Sequence, residues 1–266
     1  MELEIYQVDA FTKVPFKGNP AAVCIVEEGS AVTDDQMQSI AMEMNLAETA
    51  FVMKREDGMQ IRWFTPTDEV DLCGHATLAS AFVIWKKGEV AVDQPIQFQS
   101  QSGTLICRQD SGVVELDFPA LKAVPSATPD GLLDSMGIGS GIVSRSCFDY
   151  LIEVDSESVV RNCSPDFEKI RKIETRGVIL TSQADGGSPF DFVSRFFCPE
   201  IGINEDPVTG SAHCCLTPYW AKKLGKKKMI GYQASQRGGI VEVELSTDRV
   251  LLKGSAVEIL KGKLFL

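Results

Sequence analysis

The chain has 266 residues, with 26 Lys and Arg against 37 Asp and Glu, which leaves a formal charge of −11. That length holds one large domain or two small ones, and 44% hydrophobic with 24% charged residues is a core-forming composition that excludes disorder. The negative balance opposes a phosphate backbone and excludes nucleic acid as the main partner. One basic cluster, Lys222, Lys223, Lys226, Lys227 and Lys228, reads as cations at the negative end of a helix. No apolar run reaches membrane-spanning length, residues 78–85 being among the longest. The start, Glu2-Leu3-Glu4-Ile5, is acidic where a secretory leader is basic, so a cytoplasmic protein is expected. The eight cysteines lack Cys-x-x-Cys spacing and read as free thiols, and two histidines, His75 and His213, give no ligand set, so no metal is expected.

In chain order, residues 4–11 alternate as a strand, and Val14-Pro15-Phe16-Lys17-Gly18-Asn19-Pro20 breaks it before a second strand at 22–26. Thr33 with Gln36 forms a capping-box signature, and Met37, Ile40 and Met44 share one face, which predicts a helix over 34–44. Strands are predicted at 49–54 and 59–64, then a buried Ala-rich helix over 76–85. Strands follow near 90–118, a helix near 130–136, and strands near 142–155. Pro165-Asp166 opens another helix, strands follow at 176–182 and 190–197, and a second buried helix runs over 211–224. Gly137-x-Gly139-x-Gly141 fits no dinucleotide fingerprint and reads as a flexible loop.

One feature organises the whole. Residues 62–66 read Arg-Trp-Phe-Thr-Pro and residues 195–199 read Arg-Phe-Phe-Cys-Pro, half a chain apart. Each is followed by an acidic stretch, an Asp, a Gly-containing turn and an Ala-rich helix: Asp71-Leu72-Cys73-Gly74-His75-Ala76-Thr77 and Asp206-Pro207-Val208-Thr209-Gly210-Ser211-Ala212-His213. The pattern is an internal duplication, with halves expected at 1–117 and 118–266 and a last strand near 257–265 that returns to the first sheet. Glycine at a strand-to-helix turn admits a ligand close to the backbone, and the first helical N–H groups attract anions. Gly74 and Gly210 therefore suit a small carboxylate, or an enolate formed from one.

Several segments carry a family resemblance. Val8-Asp9-Ala10-Phe11-Thr12, Gly18-Asn19-Pro20-Ala21-Ala22-Val23 and Asn45-Leu46-Ala47-Glu48-Thr49-Ala50-Phe51 are joined by the two Gly-turn segments already quoted. In that order they resemble the motif series of the phenazine biosynthesis-like (PhzF) family. Gln233-Ala234-Ser235-Gln236-Arg237-Gly238-Gly239 resembles a late motif of the same family. The resemblance implies an α+β, diaminopimelate epimerase-like fold: two pseudo-symmetric halves, each a β-sheet wrapped around a central helix, with the site between them. It also implies no cofactor, a small-molecule carboxylate substrate and a homodimer.

The chemistry implied is isomerisation by proton transfer, with Glu48 as the shuttle. His75 and Asp206 match the other catalytic positions, and Asn19, Gly74, Gly210 and Ser211 the substrate-binding ones. Partial burial would raise the Glu48 pKa toward neutrality, and Glu48 is the lone charge in residues 45–52. His75 sits where a helix dipole disfavours the imidazolium, and Ser211 also reads as a helix cap. In related epimerases two cysteines at the two Gly turns act as paired acid and base. Here Cys73 aligns with Thr209, whose hydroxyl is too weak a base, so Cys73 stays outside the catalytic set. The alternatives left open are an amino-acid epimerase or racemase, and a non-catalytic binder of an anionic metabolite.

Overall fold

The computed structural model describes residues 2–30, 32–55 and 58–266. The chain forms two compact units, one made of the residues up to Phe118 with Lys253–Leu266, the other of Pro119–Leu252.

The first unit contains β1 (Glu2–Ala10), β2 (Asn19–Val26), α1 (Asp34–Met44), β3 (Glu48–Arg55), β4 (Gly58–Phe64), β5 (Glu69–Val70), α2 (Gly74–Lys87), β6 (Ile96–Ser100), β7 (Gly103–Asp110) and β8 (Val113–Pro119). Its sheet runs β1, β2, β3, β4, β6, β7, β8, with β2 parallel to β3, β4 parallel to β6 and the other neighbours antiparallel. Residues 21–26 are all buried, the mark of a strand covered on both faces. Gly18 precedes β2 with φ +64°, and a Cβ there would lie 2.0 Å from the Ala10 carbonyl oxygen, so only glycine closes this turn. At α1 both arms of the capping box form: Thr33 Oγ1 accepts from Gln36 N–H, and Gln36 Oε1 accepts from Thr33 N–H. Met37, Ile40 and Ala41 then face the sheet. The central helix α2 is different, with ten of its fourteen residues buried. It packs on β1, β2 and β3.

The second unit contains β9 (Val124–Pro125), α3 (Leu132–Met136), β10 (Ile142–Arg145), β11 (Asp149–Glu153), α4 (Glu157–Asn162), α5 (Phe167–Ile170), β12 (Gly177–Gln183), β13 (Phe192–Cys198), β14 (Ile203–Asp206), α6 (Gly210–Leu224), β15 (Lys228–Gln233) and β16 (Gly239–Ser246). β17 (Arg249–Gly254) then leads to β18 (Ala256–Phe265), which pairs antiparallel with β1 of the first unit's sheet. The glycine-spaced segment at 137–141 is a loop whose first residue, Gly137, closes α3, its N–H donating back to the Asp134 and Leu133 carbonyls. Helix α6 carries Pro218 in its interior. Pro218 has no N–H for the Cys214 carbonyl, and that carbonyl accepts instead from Leu121 N–H at 3.0 Å. The basic cluster after α6 meets carboxylates, Lys223 with Glu153, Lys226 with Asp191 and Lys228 with Glu244.

Strand for strand, the second unit repeats the first. β11 runs parallel to β12, β12 antiparallel to β13, β13 antiparallel to β14 and parallel to β15, and β15 antiparallel to β16. These are the relations of β2, β3, β4, β5, β6 and β7. The shared arginine explains why the five-residue repeat is legible. Arg62 on β4 reaches Glu69 on β5 through Nε and Nη2, both at 2.7 Å, and Arg195 on β13 reaches Glu205 on β14 through Nε at 2.7 Å and Nη2 at 2.8 Å. Each guanidinium also lies over the Phe two residues on, Phe64 at 5.1 Å and Phe197 at 4.8 Å. A bidentate Arg–carboxylate pair thus holds the turn leading into each central helix.

Arg195 and Glu205 are 12% and 19% exposed, so removing one partner strands a largely buried charge. Arg195→Met is expected to lower unfolding stability by about 2–4 kcal/mol, and adding Glu205→Met to recover a good part of it. Urea midpoints of the two variants check this; equal losses would mean that the stranded carboxylate is not the cause.

Candidate active site

In the first unit, the N-terminus of α2 lies beside the first residues of β2 and β3. Cys73 is the N-cap residue of α2, Gly74 the first helical residue and His75 the second. Glu48 opens β3 opposite Ala21 of β2, and Asn19 opens β2. These elements bring Asn19, Glu48, Cys73, Gly74 and His75 together. His75 Nδ1 lies 3.2 Å from Asn19 Nδ2 and 3.5 Å from Cys73 Sγ, and Nε2 lies 3.2 Å from Glu48 Oε2. Nδ1 thus meets the Asn19 amide and the Cys73 thiol, while Nε2 approaches the Glu48 carboxylate without the geometry of a hydrogen bond.

The His75 and Glu48 side chains are 6% and 15% exposed. Burial pushes the imidazole pKa down to about 3 against the opposing pull of the Pro20 carbonyl, so His75 is neutral at physiological pH. The helix N-terminus acts in the same direction. Donor atoms of Glu48, Cys73 and His75 lie within 4.8 Å of one another, close enough to ask whether they hold a metal. The thiol faces Nδ1 and the carboxylate faces Nε2, however, and one ion takes only one ring nitrogen. The arrangement fits a file of proton-exchanging groups better than a ligand shell.

In the second unit the corresponding turn is braced from β15. Gln233 accepts from Thr209 N–H at 2.9 Å and donates to the Asp206 carbonyl at 2.6 Å and to Thr209 Oγ1 at 3.2 Å. Thr209 in turn donates its hydroxyl proton to Asp206 Oδ2. Asp206 is 9% exposed, and Gln233 is wholly buried. Thr209, at the place of Cys73, therefore spends its proton on Asp206 and is no free base.

Ser211 does not cap α6. Thr209 is the N-cap residue, Ser211 is the second helical residue, and its Oγ accepts from Arg176 Nη2 at 3.1 Å. Arg176 is itself held on Asp149. Arg176, Asp149 and Gln233 were not singled out by site chemistry in the sequence; only Gln233 carried a signal, as the first residue of the late family-like motif.

His213 and Cys215 are wholly buried on α6, and Cys214 is nearly so. His213 Nδ1 lies 2.8 Å from the Thr209 carbonyl and donates to it, while Nε2 faces Phe192 and Gly231 without a hydrogen-bond partner. Burial lowers its pKa to about 4, the Thr209 carbonyl opposing. A histidine depressed in the folded state contributes stability above its unfolded pKa near 6.5 and loses it as pH falls toward the folded value. His213→Gln keeps an N–H for Thr209 and removes the titration. Its urea midpoint is expected to fall less between about pH 6.5 and pH 4.5 than that of the native protein; equal slopes would refute the assignment.

Comparison with known proteins agrees with this architecture. Residues 8–262 match the family model described as phenazine biosynthesis-like protein. An uncharacterized isomerase of Halalkalibacterium halodurans is 49% identical over the full length of both chains. The crystal structure of a PhzF-family phenazine biosynthesis protein from Enterococcus faecalis superposes with a TM-score of 0.93 at 39% identity, covering 100% of each chain. A hydroxyproline epimerase from Agrobacterium vitis shares the fold, at a TM-score of 0.62 and 10% identity over 99% of this chain and 92% of its own. The fold is α+β and diaminopimelate epimerase-like, and the chain belongs to the phenazine biosynthesis-like (PhzF) family.

Proposed function

We propose that the protein is a cofactor-independent isomerase that moves a proton, and with it a double bond, in a small carboxylate-bearing metabolite. The observation that carries this reading is the largely buried file Asn19–His75–Glu48, in which a neutral imidazole lies 3.2 Å from a carboxylate. Glu48 takes a proton from a carbon next to an unsaturated or carbonyl system. The C–H bonding pair moves into that system, and the protonated Glu48 returns the proton to its far end. Nothing is oxidised or reduced, and the carboxylate is regenerated.

His75 stays neutral and is assigned to offer Nε2–H to whichever Glu48 oxygen is charged during the reaction, which steadies the carboxylate between its two tasks. Asn19 is assigned to fix that tautomer from the other side of the ring. Gly74 is assigned to anion binding at the α2 N-terminus, Gly210 and Ser211 to anion binding at the α6 N-terminus, and Asp206 to the catalytic set. The acting form is proposed to be a cytoplasmic homodimer; a sedimentation run giving only a species of monomer mass would remove the dimer.

Relatives named as isomerases support the reaction class. An epimerase reading needs a second base at the place of Cys73, and Thr209 is committed to Asp206 there. Glu48→Gln keeps the shape and a hydrogen bond but removes the transferable proton. Ligand binding is expected to persist, while solvent deuterium incorporation into a turned-over acid drops about 10²-fold or more. Undiminished exchange in Glu48→Gln would defeat the mechanism, and binding without turnover in the native protein would favour a non-catalytic binder.

A further inference from the structure

We propose that Arg176 is a positioning residue that fixes the Ser211 hydroxyl as a one-way hydrogen-bond donor to an anionic group of the ligand. The inference rests on the reading above, in which Ser211 serves anion binding at the α6 N-terminus.

The first observation comes from comparing each unit with itself. Glu48 is the first residue of β3, opposite Ala21, and Gly177 is the first residue of β12, opposite Asp149. Arg62 pairs with Phe51, three residues after Glu48, and Arg195 pairs with Leu180, three residues after Gly177. Gly177 therefore holds the Glu48 position in the second unit, as Ser211 holds that of His75. No side chain fits there, because a Cβ on Gly177 would lie 2.5 Å from Phe196 Cζ and 3.0 Å from the Phe197 carbonyl oxygen. The side chain that meets the second helical residue comes instead from Arg176, one residue earlier.

That guanidinium is built in rather than draped. Arg176 Nε donates to Asp149 Oδ1 at 2.9 Å and Nη2 to Asp149 Oδ2, and the Asp149 side chain is wholly buried. Phe148 and Phe196 flank the guanidinium at 5.0 Å and 5.6 Å. The Arg176 main-chain N–H is bonded as well, to the Phe148 carbonyl at 3.2 Å. The side chain keeps 31% exposure, so the group faces solvent from a fixed mount.

The consequence is chemical. A guanidinium only donates, so Ser211 Oγ must accept from Nη2, and its own O–H has to point elsewhere. Hydroxyls inside the central helices usually return that proton to the carbonyl four residues back, as Thr77 does to Cys73, Ser80 to Ala76 and Thr217 to His213. For Ser211 the fourth residue back is Pro207, which lies before the N-cap and outside the helix, and the Pro207 carbonyl accepts from Ser235 Oγ at 2.8 Å. Ser211 is left with a proton to donate and no acceptor among the described residues. Its site shows an anion a directed O–H, while the cation behind it is already neutralised by Asp149. Recognition there depends on geometry rather than net charge.

The test is a double-mutant cycle read by calorimetric titration with acetate, benzoate, anthranilate and itaconate, the tightest binder being carried forward. Removing Arg176 alone would strand the buried Asp149 carboxylate, so the pair is replaced together as Arg176→Met with Asp149→Leu. Ser211→Ala is expected to weaken the carboxylate about tenfold or more, the scale of a hydrogen bond to a charged group. In the Met/Leu background the same Ser211→Ala change is expected to matter less than about twofold, because the hydroxyl has lost its orientation. Additive effects in the triple variant would overturn the proposal while leaving the role of Ser211 intact. Unchanged affinity in Ser211→Ala, or no carboxylate bound by the native protein, would overturn the underlying reading and the proposal with it. Should the Met/Leu variant fail to fold, Arg176→Lys decides: the ammonium still compensates Asp149 but cannot also hold Ser211. Native affinity in Arg176→Lys would then overturn the proposal.

Discussion

Burying a helix on nearly all sides is the constraint from which most of this structure follows. A helix in that position cannot carry charge along its length, and it still has orphan N–H groups at its start. Both central helices answer with a similar composition: alanine, leucine and tryptophan, and hydroxyl residues that bond their own turns. The lysines wait until the last turn, where a cation meets the negative helix end. The N-terminus is the one part of such a helix that can meet a polar ligand, and there the chain places its glycine turns, its buried histidine and its serine. The polar character of these turns is thus a product of packing.

Duplication gives each unit the same mount, and the two mounts are furnished differently. In the first, the strand start offers Glu48 to His75; in the second, a glycine at that register hands the place to Arg176 and Ser211. In the first set a carboxylate faces an imidazole that burial keeps neutral at physiological pH. The second set has its protons fixed: Arg176 cannot lose one, and Thr209 is tied to Asp206.

Much of the fold was legible because its signals are local. The Thr33–Gln36 capping box, the face of Met37, Ile40 and Met44, and the Ala-rich runs each reflect backbone requirements met within a few residues. The Arg-x-Phe-x-Pro repeat was legible for a less local reason: each arginine is read against a glutamate on the next strand, so the pattern survives in both units. What escaped was set by tertiary context. The helix at 157–162 is short and capped by Ser156, too brief to show a period. Nor is it visible locally why α6, predicted unbroken over 211–224, tolerates Pro218: Leu121, nearly a hundred residues away, takes the freed carbonyl.

The same distinction applies to the polar residues. Glu48 and His75 were assigned through the family-like segments around them, Asn45–Phe51 and Asp71–Thr77, rather than by residue type alone. Arg176 lay in no such segment, being one arginine in a mixed stretch beside a glycine of no evident purpose. Ser211 looked like a cap because serine before a helix commonly is one; it fails to cap because Thr209 arrives first and then turns its own side chain to Asp206. A side chain's role here depends less on its type than on which acceptor is already taken. Thr209 and Ser211 carry the same functional group, two residues apart. The first is a closed link between a carboxylate and an amide, and the second is an open donor, because a guanidinium donates to its oxygen and the residue four back, Pro207, lies outside the helix with its carbonyl turned to Ser235. Neither fact is visible in a sequence window, since the deciding partners come from β15, from the residue before β12 and from the loop after β15. An open donor that persists in a packed turn is a group held ready for something outside the chain.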